Sequence, residues 1–153
     1  MKIRYKIGDL LDCPEQTILQ GVNMQIKMRS GIAKAIREKY PEVYEEYKKV
    51  AETKGLHLGD VIWVATDDKL IANGVTQEFY GRDNKCYIDY EAIRTVMKTI
   101  NSCAILSNIT HVSMPLIGAG LGGGDFSIIS KIIEEESKNF QPVVYVLTES
   151  DLP

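Results

Sequence analysis

The residues best suited to chemistry in this sequence are glycines. Gly118-Ala119-Gly120-Leu121-Gly122-Gly123-Gly124 holds five of them in seven positions. Backbone without side chains lets an anion approach closely, and glycine's tolerance of positive φ lets successive N–H groups turn toward one point. The segment lies between an apolar run and a helical pattern that starts at Phe126, so the helix N-terminus would add donors and the positive end of its dipole. Asp125 is placed to cap that helix. The chemistry this pattern serves is phosphate binding. The alternative is a turn that needs glycine for its own geometry.

Gly118, Gly120 and Gly123 also satisfy G-x-G-x-x-G. A strand over Val143–Leu147 follows the helix, and Glu149 stands near its end, as a ribose-binding acid would in a dinucleotide fold. Against that reading, the motif lies near the end of the chain and leaves room for one βαβ unit. Three other loops carry polar groups that it does not use. Asn23 through Ala33 runs from a strand end into a helix: Ser30 and Gly31 could cap that helix and present amides, and Lys27 and Arg29 add charge. Gly8-Asp9-Leu10 ends the first strand, where a carboxylate could accept from an exocyclic amine or simply form an Asx turn. Thr76 to Gly81 brings polar and aromatic groups to a rim. In an open α/β sheet, ligands collect beside such strand ends.

Composition narrows the remaining classes. The chain has 153 residues, 44% hydrophobic and 25% charged, with net charge −3 and a pI near 5.4. One domain over residues 1–153 is expected. An acidic balance disfavours non-specific nucleic-acid binding, and no apolar run reaches bilayer length. Met1-Lys2-Ile3-Arg4-Tyr5-Lys6 lacks a signal peptide's apolar centre, so a cytoplasmic location is expected. Three cysteines (Cys13, Cys86, Cys103) and two histidines (His57, His111) form no metal-ligand spacing, so neither a metal site nor a cofactor is expected.

These loops need a frame. Strands are predicted over Lys2–Ile7 (Ile3, Tyr5 and Ile7 on one face), Thr17–Asn23, Asp60–Thr66, Lys69–Val75, Thr110–Ile117 and Val143–Leu147. A turn at Asp67-Asp68 makes the third and fourth a hairpin. Ile32, Ile36, Tyr40, Val43, Tyr47 and Val50 form one helical stripe, broken or kinked at Pro41 and closed by Gly55. Further helices are predicted from Asp89 to about Leu106 (Ile93, Val96, Met97 and Ile100 inward) and from Phe126 to about Asn139. Thr76–Lys85 reads as loop. The alternation predicts an α/β fold with helices on both faces of the sheet.

Across essentially the whole chain these stretches resemble the macrodomain family. The residues that carry the resemblance are Gly8-Asp9-Leu10-Leu11, Asn23 with Met28-Arg29-Ser30-Gly31-Ile32-Ala33, and Met114-Pro115-Leu116-Ile117-Gly118 continuing through Asp125. The branch it looks most like comprises terminal ADP-ribose protein glycohydrolases and ADP-ribose 1″-phosphate phosphatases. The resemblance implies a three-layer α/β/α fold with a mixed, mostly parallel sheet and ADP-ribose in a surface cleft. Asp9 would then meet the adenine amine with Leu10 beside it. Ser30, Gly31 and Ile32 would flank the diphosphate and distal ribose. Gly118, Ala119, Gly120, Leu121 and Gly122 would wrap the phosphates, and Asn23 would approach the distal ribose.

Three positions depart from that pattern. Gln77 stands where the glycohydrolases have a lysine, Gly122 where they have an aspartate, and Arg29 where glycine is common. A lysine amine can attack a sugar carbon and a glutamine amide cannot. Arg29 could fork onto a phosphate. The expected activity is hydrolysis at the distal ribose, of a protein-linked ADP-ribose ester or of ADP-ribose 1″-phosphate, with Asn23 orienting water or ribose and Asp83 or Asp125 as candidate bases. The other reading is a non-catalytic ADP-ribose-binding module. The expected partner is ADP-ribose or an ADP-ribosylated small molecule or protein, with no nucleic acid and no membrane.

Overall fold

A computed structural model describes residues 1–81, 83 and 85–153. Arg82 and Asn84, within the loop expected over Thr76–Lys85, lie outside the described residues. Six strands, β1 (Arg4–Ile7), β2 (Thr17–Asn23), β3 (Val61–Ala65), β4 (Leu70–Gln77), β5 (His111–Met114) and β6 (Gln141–Val146), form one sheet in the order β1-β6-β5-β2-β4-β3. All neighbours are parallel except β3 and β4, the expected hairpin. α1 (Gly31–Lys39) and α2 (Pro41–Thr53) cover one face, α3 (Tyr90–Ser107) and α4 (Phe126–Glu136) the other. The sheet is therefore mixed and mostly parallel between two helical layers.

Strand alternation sorts the core into two halves. Ile18, Val22, Ile71 and Val75 pack under α1 and α2 with Ile36, Val43 and Tyr47. Leu19, Ala72, Val112 and Val144 pack against Ile93, Val96, Met97 and Ile129 of α3 and α4. Burying each such aliphatic side chain contributes about 1.5–3 kcal/mol. α3 sits close to the sheet because Gly74 has no side chain: a Cβ there would stand 2.7 Å from Val96 Cγ1. Pro41 does not kink a continuous helix. It opens α2 as an N-terminal residue, after Tyr40 breaks the helical backbone at φ −128°.

Several boundaries differ from expectation. β1 is the sheet's edge, so Tyr5 and Ile7 are exposed rather than packed, and only Ile3 tucks partly against the core. β5 stops at Met114, because Pro115 and Leu116 accept turn bonds from Ile117 and Ala119. β4 runs on to Gln77 instead of ending at Val75, held by pairing with β2. α4 ends at Glu136, three residues early. Among the described residues, no helix is long and apolar enough to cross a membrane.

Candidate functional site

The chain leaves β2 toward β4, on one side, through α1 and α2, and leaves β5 toward β6, on the other, through α4 on the opposite face. β2 and β5 are neighbours that pair only through Thr17 and Ile18, so the sheet parts between their carboxyl ends. Such a reversal of winding creates a crevice, and ligands of open α/β sheets sit there. The loops leaving β2 and β5 form its walls. Asp9 lies three strand spacings from β2, about 14 Å away.

The glycine loop forms one wall. Among the described residues, the N–H groups of Gly118, Gly120, Leu121 and Gly122 find no acceptor, whereas those of Ala119, Gly123 and Gly124 bond within the loop. Gly122 is a buried residue, where a donor without an acceptor is costly unless water or a ligand meets it. Four donors within five residues make an anion cradle. Most of the glycines answer to packing as well. A Cβ on Gly123, at φ +72°, would stand 2.2 Å from Lys85 O, and one on Gly118 or Gly124 would press on Ile88 within 2.9 Å. Gly122 O accepts from Tyr87 N (2.7 Å) and Ile88 N (3.2 Å). Residues 85–88 thus lie against the loop and hold its shape. Within the loop, among the described residues, only at Gly120 would a Cβ meet nothing within 4 Å.

The β2–α1 segment forms the other wall. The N–H groups of Gly31, Ile32 and Ala33 open α1, and Ser30, though at the cap position, makes no side-chain capping bond. Arg29 is exposed and Lys27 half-buried; neither side chain has a partner among the described residues. Asn23 ends β2 beside a bulge and pairs in register with Gln77. Its side chain serves the loop: Oδ1 accepts from Gln25 N (2.9 Å) and Lys27 N (3.3 Å), and Nδ2 donates to Lys27 O (3.0 Å). Between those amides Ile26 adopts φ +59°, which costs a branched residue about 1–2 kcal/mol. Sequence reasoning missed the residue beneath, Tyr47. Its hydroxyl donates to the Asn23 carbonyl and lies 3.2 Å from Asn23 Oδ1. Burial pushes the Tyr47 phenol well above its usual range, so it stays a donor.

Asp9 is exposed, and its Oδ1 accepts from Leu11 N (2.9 Å), an Asx turn opening a short 3₁₀ turn over Leu10–Asp12. Leu10 is buried beside it. Two lysines tie this segment down: Lys39 Nζ donates to Leu11 O (3.1 Å), and the buried Lys69 to the carbonyls of Cys13 and Glu15 (2.6 Å each). Both candidate bases are engaged. Asp83 accepts from Tyr87 Oη (2.6 Å), a bond that lowers its pKa, and pairs with Lys85. Asp125 caps α4 by accepting from Ser127 N (2.9 Å) and Oγ (2.7 Å), which lowers its pKa as well. Lowered pKa values make both weak bases. Among the described residues no group of three or more His, Cys, Asp or Glu side chains could hold a metal ion.

Gln77 Nε2 donates to Phe79 O (2.7 Å), and its Oε1 lies beside Gly122. The two positions that the resemblance sets against the glycohydrolase lysine and aspartate are therefore adjacent. An open cavity of about 530 Å³ lies at the opposite, amino end of the strands, between Arg4, Glu15, Asn108 and His111; neither cleft wall reaches it.

The model of the Macro domain family matches residues 20–133. The chain is 27% identical to ADP-ribose glycohydrolase OARD1 of Bos taurus, over 95% of this chain and 92% of that protein. It is 29% identical to the DNA ADP-ribosyl glycohydrolase of Mycobacterium tuberculosis, over 84% of this chain but 37% of that protein. Thermosipho africanus DarTG, solved in complex with ADP-ribose, superimposes with a TM-score of 0.82 at 20% identity, over 99% of this chain and 43% of that one, a likeness of fold. Fold, crevice and family model together make this chain a member of the Macro domain family.

Proposed function

We propose that all 153 residues act as one ADP-ribose-binding macrodomain that hydrolyses ADP-ribose derivatives at the distal ribose. The observation that carries the binding reading is the set of N–H groups at Gly118, Gly120, Leu121 and Gly122 that find no acceptor among the described residues. A diphosphate satisfies all four donors, and the start of α1 supplies more from the facing wall. Adenine then extends toward Asp9, where the carboxylate oxygen not used by Leu11 accepts from the exocyclic amine. The distal ribose lies toward Asn23, Gln77 and Gly122.

For hydrolysis, the bound diphosphate fixes the scissile bond against a water, and glycine-loop amides stabilise developing negative charge. The leaving group is a carboxylate of a modified protein or the 1″-phosphate. Arg29 and Lys27 favour substrates with an added anion. A second reading, a binding module without catalysis, is favoured by one specific observation: Gln77 and Gly122 stand together, at positions the resemblance sets against a lysine and an aspartate, and Asp83 and Asp125 are both committed elsewhere.

The deciding experiment offers the protein ADP-ribose 1″-phosphate, an ester-linked mono-ADP-ribosyl protein and an ADP-ribosylated DNA oligonucleotide. The third is included because one relative carries DNA in its name. Turnover of either of the first two supports hydrolysis. Tight binding with no turnover of any of them establishes the module reading instead.

A further inference from the structure

We infer that the Tyr47 hydroxyl is a positioning group for the ADP-ribose site, fixing Asn23 and through it the strained 24–29 segment that sets the β2–α1 wall. The inference rests on the ADP-ribose reading above. Tyr47 lies in the middle of α2 and is fully buried. A phenylalanine would fill the same space in the core. The hydroxyl instead reaches the end of β2, donating to the Asn23 carbonyl beside Asn23 Oδ1.

The consequence follows along the chain of bonds. Asn23 Oδ1 takes the N–H groups on both sides of Ile26, and Nδ2 returns to Lys27 O. Three bonds from one side chain hold a branched residue in left-handed backbone, a conformation that persists only when its surroundings over-determine it. Tyr44 Oη adds a long contact to Ile26 O at 3.5 Å. Ile26 and the residues after it lead directly into Gly31, so the height and direction of α1's opening amides depend on this clamp. Asn23 is thereby a positioning residue first. A contact with the distal ribose would fall to its second Nδ2 hydrogen.

The test is Tyr47→Phe, with Tyr40→Phe as control. Tyr40 is also buried, but its hydroxyl bonds Asp68 away from the cleft. Calorimetry with ADP-ribose and with AMP separates positioning from general destabilisation, since AMP lacks the distal half of the ligand. Tyr47→Phe should weaken ADP-ribose binding about five- to tenfold, the equivalent of one lost hydrogen bond, and change AMP affinity less than about twofold. Tyr40→Phe should change neither. Amide exchange should also accelerate at Gln25 and Lys27 in Tyr47→Phe. Unchanged ADP-ribose affinity, or equal loss for both ligands, overturns the inference; a wild-type protein that binds no ADP-ribose overturns the underlying reading instead. Should Tyr47→Phe not fold, exchange in the ligand-free wild type decides. Gln25 and Lys27 amides slower than that of Gly120 support the clamp, and equal rates refute it.

Discussion

The side-chain oxygen of Gln77 lies 3.2 Å from the point where a Cβ on residue 122 would stand. Two positions 45 residues apart in sequence are thus neighbours, at what we propose is the distal-ribose end of the cleft, where the resemblance implies a lysine and an aspartate. Without an amine at position 77, no imine to the sugar can form there. Incubation with ADP-ribose followed by borohydride reduction should leave the protein's mass unchanged. A mass increase mapped to the cleft would contradict this.

Restoring the acid alone should harm the loop. A Cβ on residue 122 would stand 2.8 Å from Gly118 O as well as against Gln77. Gly122→Asp should lower the melting temperature and weaken ADP-ribose binding at least about tenfold, since the site must shift to admit it. A variant as stable as wild type, with unchanged affinity, would show that the space is larger than described.

Gly120 and Gly123 should respond in opposite ways to substitution. Gly120 faces open space, so Gly120→Glu should fold normally and bind ADP-ribose at least about a hundredfold more weakly, by occupying the phosphate site with like charge. Gly123→Ala combines φ +72° with a collision at Lys85 O and should cost about 1–3 kcal/mol of stability. Denaturant melts and calorimetry on both variants check the contrast. Equal stability losses would mean that the two glycines have one role.

Much of this arrangement was legible in the sequence, for identifiable reasons. Patterning located the six strands and four α-helices found among the described residues, though not the short 3₁₀ turns, and the glycine run stands out at any reading. What escaped depends on contacts between distant segments. Pro115-Leu116-Ile117 continues an apolar run, yet its amides close turns. Gln77 joins β4 only because the register shifts beside it, Thr76 being the extra residue between the partners of Val22 and Asn23. Gly123 and Gly124 read as phosphate-binding residues, whereas their neighbours are Lys85 and Ile88. Tyr47 reads as one more member of a helical stripe, and nothing in that stripe reveals what a buried hydroxyl touches.

Asp9 carries two roles that one substitution separates. Asp9→Asn keeps an oxygen for Leu11 N but replaces the second acceptor with a donor. The variant should melt within about 2 °C of wild type, since the turn bond survives, and should lose the preference for adenosine over inosine diphosphate ribose. Retained discrimination would move adenine away from Asp9.

Acid stability should depend on Glu15, at the far end of the strands. Burial pushes its pKa up, but bonds from Tyr145 Oη (2.6 Å) and Ser113 Oγ (2.8 Å) and the Lys6 charge outweigh that and leave it lowered. A carboxyl with a lowered folded-state pKa stabilises the fold above its unfolded value, and that stabilisation disappears as the pH falls through the folded value. The melting temperature of wild type should therefore drop below about pH 4.3, the ordinary glutamate value, and Glu15→Gln should flatten that drop. Parallel curves would assign acid sensitivity to other groups.

The four backbone donors in the glycine loop are the proposed diphosphate site. Titration of ADP-ribose into wild type and Gly120→Glu by calorimetry tests it most directly, with NAD as the competing ligand. One-to-one binding of ADP-ribose is expected, tighter than that of NAD and lost in a folded Gly120→Glu. Absence of binding to wild type, tighter binding of NAD, or undiminished affinity in Gly120→Glu would contradict it.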